Sequence, residues 1–148
     1  MYIGTYYHKL EEKGRVSVPV KFRNSLGEKP VLTRGLDGCL FLFSQQDWRA
    51  FIGTLEDSSV TKKVHRDFAR LMANEASELE FDTVGRAVIP EYLRNKANIT
   101  KEVVFTGSAN RVELWDRDAY HTYMESLEQH AEEIAEQFDV PQKGEDHV

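Results

Sequence analysis

Cysteine is nearly absent: Cys39 is the single one in 148 residues, which excludes an internal disulfide and any zinc site built from several thiolates. Long apolar runs are missing too. None approaches the roughly 20 residues a membrane helix needs, and Met1-Tyr2-Ile3-Gly4-Thr5 has neither a basic start nor an apolar stretch of signal length, so a cytoplasmic location with no membrane partner is expected. Phosphate-cradling G-x-x-x-x-G-K-[ST] and dinucleotide-type G-x-G-x-x-G motifs do not occur, and His8, His65, His121, His130 and His147 lack the spacing of an H-E-x-x-H metal site. Cys39 sits in the apolar stretch Gly38-Cys39-Leu40-Phe41-Leu42-Phe43, where a buried thiol is expected rather than a nucleophile. Together these absences point to a binding protein without cofactor or metal, not to an enzyme.

Basic charge is also in deficit: 19 Lys and Arg stand against 25 Asp and Glu, a net charge of −6. Polyanions attract basic surfaces, so the total argues against a nucleic-acid partner until its distribution is considered. Between residues 125 and 148 eight acidic residues face Lys143 alone, a local charge of −7, which leaves +1 for residues 1–124. From Lys9 to Gly27, Lys9, Lys13, Arg15, Lys21 and Arg23 outnumber Glu11 and Glu12, a local +3. The acidity is that of the tail, and a small basic face near the N-terminus is compatible with it.

What the sequence does contain is a repeat. Leu10-Glu11-Glu12-Lys13-Gly14-Arg15-Val16-Ser17-Val18-Pro19 returns 71 residues later as Phe81-Asp82-Thr83-Val84-Gly85-Arg86-Ala87-Val88-Ile89-Pro90, and the match continues through Gly35 with Gly107, Leu42 with Leu114 and Trp48 with Tyr120. Each copy reads as one unit: a turn, a strand near Arg15 to Val18, a short helix opened by Pro19 and closed by Gly27, strands near Pro30 to Thr33 and Cys39 to Phe43, then a helix. The second copy gives strands near Ala87 to Ile89, Val103 to Thr106 and Arg111 to Trp115. Its final helix carries Tyr120, Tyr123, Met124, Leu127, Ala131, Ile134 and Phe138 on one face and should stop at Pro141. Val64, Phe68, Leu71 and Met72 predict a linking helix between the copies. The units are drawn as 5–55 and 78–127, with the link at 56–77 and the tail at 128–148.

An Arg directly after a turn glycine is expected at a hairpin tip, where its guanidinium can meet a phosphate or pair with a guanine edge. Arg15 follows Gly14 and Arg86 follows Gly85, and the first copy adds Lys13. The plain alternative is a cross-turn ion pair, Glu11 with Arg15 and Asp82 with Arg86, which at a surface contributes little. Lys21 and Arg23 on the first short helix, and Arg94 and Lys96 on the second, are secondary candidates that equally fit a solvated helix face. Two basic tips in one chain suit successive segments of a regular polymer.

These residues carry a family resemblance. Glu11 to Pro19, the stretch Leu32-Thr33-Arg34-Gly35-Leu36-Asp37-Gly38-Cys39-Leu40, and Asp82 to Pro90 resemble the MraZ family of bacterial transcription regulators, built from two AbrB-like (SpoVT-AbrB) units. The resemblance implies an α+β fold of duplicated swapped-hairpin β-barrel units with flanking helices. It implies that the D-x-x-x-R element of each unit contacts double-stranded DNA, here Glu11 with Arg15 and Asp82 with Arg86, the first copy having Glu for Asp. It further implies a ring-shaped homo-oligomer, octamer-like in size class, that binds short direct repeats in its own promoter and represses the operon at the head of the division and cell-wall gene cluster. The rival reading is an AbrB-like antitoxin whose acidic C-terminal helix docks a partner. Deletion of residues 125–148 separates the two. An assembly role for the tail predicts smaller oligomers in sedimentation velocity, whereas unchanged assembly with loss of a bound partner supports docking.

Overall fold

The computed structural model describes residues 1–56 and 60–145. In chain order the elements are β1 (Thr5–Lys9), a 3-10 turn (Glu12–Gly14), β2 (Arg15–Ser17), α1 (Val20–Leu26), β3 (Val31–Arg34), β4 (Leu40–Phe43), α2 (Gln45–Glu56) and α3 (Lys63–Asn74). The second half gives β5 (Ser77–Glu78), β6 (Arg86–Val88), α4 (Glu91–Lys96), β7 (Glu102–Gly107), β8 (Val112–Asp116), α5 (Arg117–Gln129) and α6 (Ala131–Glu145). Pro19 and Pro90 stand at the N-caps of α1 and α4, where a fixed φ and a missing N–H cost least. Ser44 caps α2: its Oγ accepts from the Asp47 N–H at 3.0 Å and donates to the Asp47 carboxylate at 3.1 Å.

The strands make one six-stranded antiparallel sheet in the order β1-β7-β8-β4-β3-β5 and a separate ribbon of β2 with β6. The duplicated α+β plan is therefore present, but the sheet is open and the expected closed barrel is not formed. The cause lies in β2 and β6, each three residues long, which pair only with each other and so cannot bridge the two edges.

The first two strands of each repeat pair with the other repeat. β1 lies on β7, β5 lies on β3, and β2 lies on β6. The hairpins β3-β4 and β7-β8 stay within their own repeats and meet along β4 and β8, with Leu40 opposite Leu114 and Leu42 opposite Val112. This crossing pattern is the swap, completed inside one chain. One consequence is a shared core: Val16, Val18, Phe22, Leu26, Leu32, Leu40 and Leu42 of the first repeat pack in one cluster with Ala87, Ile89, Leu93, Val103, Phe105, Val112 and Leu114 of the second. Each such side chain larger than alanine contributes about 1.5–3 kcal/mol when fully buried, and the cluster draws on both repeats.

α3 is tied down where the Thr33 hydroxyl donates to the Met72 carbonyl at 2.7 Å. Glu75, just beyond α3, faces Arg34 of the first repeat at 3.7 Å and Lys96 of the second at 3.4 Å. On the same face of the sheet, Phe51 of α2 stacks on Phe43 with ring centroids 5.1 Å apart. Cys39 is buried, as its apolar setting requires, and that burial pushes its thiol pKa far up.

The described residues up to Arg117 form one compact body and those from Asp118 to Glu145 a second, made of the terminal helices. The long helix expected there is broken at His130, whose N–H bonds the Leu127 carbonyl three residues back, tightening the last turn of α5. α6 then runs to Glu145, past the stop expected at Pro141. A proline deletes one helical hydrogen bond and bends a helix without having to end it. The remainder of the expected tail, 146–148, lies outside the described residues.

The exchange makes a specific demand on folding. Leu42→Ala should cost about 2–5 kcal/mol, and hydrogen exchange should show β7 in the other repeat losing protection together with β3. Loss confined to the first repeat would mean that the halves fold separately.

Candidate nucleic-acid interface

The β2-β6 ribbon organises the candidate residues. Its register sets Arg15 opposite Val88, Val16 opposite Ala87 and Ser17 opposite Arg86. Successive side chains of a strand point to opposite faces, so Val16 and Ala87 occupy one face and Arg15, Ser17, Arg86 and Val88 the other. The first face is buried, at 1% and 2% exposure, and belongs to the core. Both arginines consequently face outward on one small surface, as diagonal neighbours roughly 7–8 Å apart.

Each arginine follows a turn closed by its own backbone. Glu11 N–H donates to the Arg15 carbonyl at 2.7 Å and Gly14 N–H to the Glu11 carbonyl at 3.2 Å, while the second repeat repeats both bonds, Asp82 to Arg86 at 2.9 Å and Gly85 to Asp82 at 3.1 Å. The strands flanking each turn are not partners, because β1 and β2 belong to different sheets. The expected hairpin tips are thus crossing points between sheets, and each Arg is the first residue of a ribbon strand, not the apex of a hairpin.

Gly14 and Gly85 adopt φ of 79° and 85°, a region side chains disfavour, and both are buried against an arginine from the other repeat. A Cβ on Gly14 would lie 2.6 Å from Arg94 Nε, and one on Gly85 would overlap the Arg23 guanidinium. Arg23 Nη1 donates to the Gly85 carbonyl at 3.3 Å and the Val18 carbonyl at 3.4 Å, and Arg94 Nε donates to the Ile89 carbonyl at 2.9 Å. These two side chains sit half-buried under the turns instead of lying along a solvated helix face, whereas Lys21 and Lys96 are exposed, Lys96 being paired with Glu75. The repeat offset, which aligns Arg23 with Arg94, is the only sequence signal of this reciprocal support.

The two turns differ electrostatically. Asp82 accepts from the N–H groups of Val84 at 3.0 Å and Arg86 at 2.9 Å, and from Arg86 Nε at 2.9 Å. The hydrogen bond from the Arg86 backbone N–H, joined by those from its guanidinium and from the Val84 N–H, holds its carboxyl below the ordinary range against an opposing desolvation, and the Asp82 pairing raises the Arg86 pKa. Glu11, one methylene longer, does not cap its own turn. Its Oε1 crosses to Arg86 Nη1 at 3.1 Å, so the expected Glu11–Arg15 pair is replaced by one between repeats. Lys13 takes φ of 62° where Val84 does not. Arg15 and Lys13 have no side-chain hydrogen bond or ion pair among the described residues, and Lys13 is exposed.

Sequence comparison divides the chain at the same period as the repeat. The family model described as "MraZ protein, putative antitoxin-like" matches residues 1–71 and again 72–140. The chain belongs to the MraZ family. A transcriptional regulator MraZ from Caldanaerobacter subterraneus subsp. tengcongensis is 45% identical over 139 residues, covering 94% of this chain and 97% of its own length. Proteins of the same name from Thermoanaerobacter sp. strain X514 and Halothermothrix orenii are each 44% identical, covering 94% and 91% of this chain and 97% and 94% of their own. The MraZ relatives carry the name of a regulator, not of an enzyme. The boundary between the two MraZ matches falls inside α3.

The Asp82 turn has a pH signature. Its lowered carboxyl pKa makes the stabilisation fully present above the unfolded value of about 3.9 and lost as pH falls through the lower folded value. Carboxyl NMR should place the Asp82 midpoint below that of an unfolded aspartate, and Arg86→Ala should move it upward. An Asp82 midpoint that stays put in the variant would remove the Arg86 guanidinium as a cause and leave the Arg86 backbone N–H, which the variant keeps.

Proposed function

We propose that this chain is a DNA-binding transcriptional regulator that docks the outward face of its β2-β6 ribbon on double-stranded DNA. One observation carries the reading: among the described residues the Lys13 and Arg15 side chains have no hydrogen-bond or ion-pair partner, and Arg15 shares the outward ribbon face with Arg86. A buried ribbon face fixes their height and direction, and relatives named as transcriptional regulators supply the class.

Roles follow from the environments. Arg15 is free to make the bidentate bond to a guanine edge that best specifies sequence, and Lys13 offers a point charge for a neighbouring phosphate. Arg86, held by Asp82 and Glu11, suits phosphate positioning, which sets register without reading bases. Gly14 and Gly85 admit the turns, Asp82 braces the second, and Arg23 and Arg94 support both from beneath. Lys21 is an outlying phosphate contact.

An acidic chain with one small basic face gains affinity by presenting many copies at once. The reading therefore includes a ring-shaped homo-oligomer, octamer-like, bound to short direct repeats in the promoter of its own operon at the head of the division and cell-wall gene cluster. Repression would come from occlusion of polymerase, in a cytoplasmic, nucleoid-associated protein.

The test is titration of a duplex from upstream of the gene, and of a scrambled duplex, at several salt concentrations. Arg15→Ala should lose about 1–3 kcal/mol on the cognate duplex and flatten the preference between the two. Arg86→Ala should weaken both alike and reduce the salt slope by about 0.9. Equal losses with equal relaxation of preference would refute the division of labour, and wild-type protein that ignores both duplexes at low salt would refute the regulator.

A further inference from the structure

We infer that Glu11 is a built-in phosphate substitute: it occupies the Arg86 guanidinium in the free protein and must be displaced when Arg86 meets DNA, so it sets the overall affinity of the second tip. The inference rests on the DNA-binding reading above and adds a residue whose effect is negative.

The two carboxylates on Arg86 are not equivalent. Asp82 is fixed, because the same side chain also accepts two backbone N–H groups of its own turn. Glu11 has no partner other than Arg86 for its carboxylate among the described residues. Its side chain is 46% exposed, so it can swing into solvent without breaking anything but this pair. The bond it makes, an oxyanion on a guanidinium Nη at 3.1 Å, is the bond a phosphate oxygen would make at the same donor. Phosphate contacts are made with every duplex, so the competition applies to all sequences equally and leaves the choice between them to Arg15.

The equivalent position explains why glutamate matters. Asp82 spends its oxygens on its own turn, and its shorter side chain stays there. A carboxylate shortened by Glu11→Asp would do likewise, releasing Arg86 while keeping the negative charge, and would take Arg15 as Asp82 takes Arg86. Glu11→Asp therefore separates a specific competitor from a general repulsion of DNA, which Glu11→Gln alone would not.

The experiment measures fluorescence anisotropy of the cognate and scrambled duplexes with wild type, Glu11→Gln, Glu11→Asp, Arg86→Ala and the two double variants, with thermal melts to confirm folding. Glu11→Gln should tighten both duplexes by about two- to fivefold, the range that an exposed ion pair spans, with the ratio between duplexes unchanged, and Glu11→Asp should tighten the scrambled duplex alike while the cognate duplex gains less, because the shorter carboxylate also engages Arg15. The gain should vanish in the Arg86→Ala background. A gain that persists without Arg86, a gain in Glu11→Gln absent from Glu11→Asp on the scrambled duplex, or no gain in either would overturn the inference while leaving the regulator standing. Failure of the wild type to bind any duplex would overturn both.

Discussion

Three residues on each side hold the functional surface together. Among the described residues the β2-β6 ribbon is the only place where the two Gly-Arg segments touch as strands, and Val16 opposite Ala87 anchors it in the core. Because side chains alternate, burying that pair obliges Arg15 and Arg86 to point outward. A slip of one residue would drive an arginine into a cluster of leucines and valines, where an unpaired charge costs far more than the ribbon gains. The register of six residues thereby decides what the protein shows to a partner.

Beneath the ribbon, support is exchanged in the same way as the strands. Arg23 of the first repeat sits under Gly85 of the second, and Arg94 of the second under Gly14 of the first. Each guanidinium donates to backbone carbonyl oxygen at the junction of ribbon and helix, Arg23 to Val18 and Gly85 and Arg94 to Ile89. Positive charge is thus divided by depth: two arginines maintain the turns, and two stand on the surface that the turns present. Glu75 adds a third link by facing Arg34 and Lys96 from opposite repeats.

Much of this was legible in the residues. Pro19, Gly27, Pro90 and the apolar stretches around Leu32, Leu42, Val104 and Leu114 mark their elements by local chemistry alone, and the repeat announces the duplicated plan. β1 escaped because Thr5-Tyr6-Tyr7-His8-Lys9 alternates only weakly, its inward positions being Tyr6 and His8, both half-buried. β5, two residues long, has no period to detect. Pairing between repeats is a tertiary fact: nothing in the Leu10 to Pro19 segment states whether β2 will meet β1 or β6. The same ignorance misassigned Glu11, whose partner by spacing is Arg15 and whose partner in space is Arg86. Arg23 and Arg94 were visible as basic residues on short helices, but their inward use depends on glycines more than 60 positions away.

Fusing both halves into one chain has a consequence for symmetry. Two identical subunits must present identical turns, and a two-fold protein suits a palindromic site. Here the covalent link lets the halves diverge, and they have: Glu11 and Lys13 stand where the other half has Asp82 and Val84. The pseudo-dimer accordingly has a front and a back. A reader with direction distinguishes a sequence from its inverted copy, so successive protomers in one orientation would be matched by sites that all run the same way along the duplex.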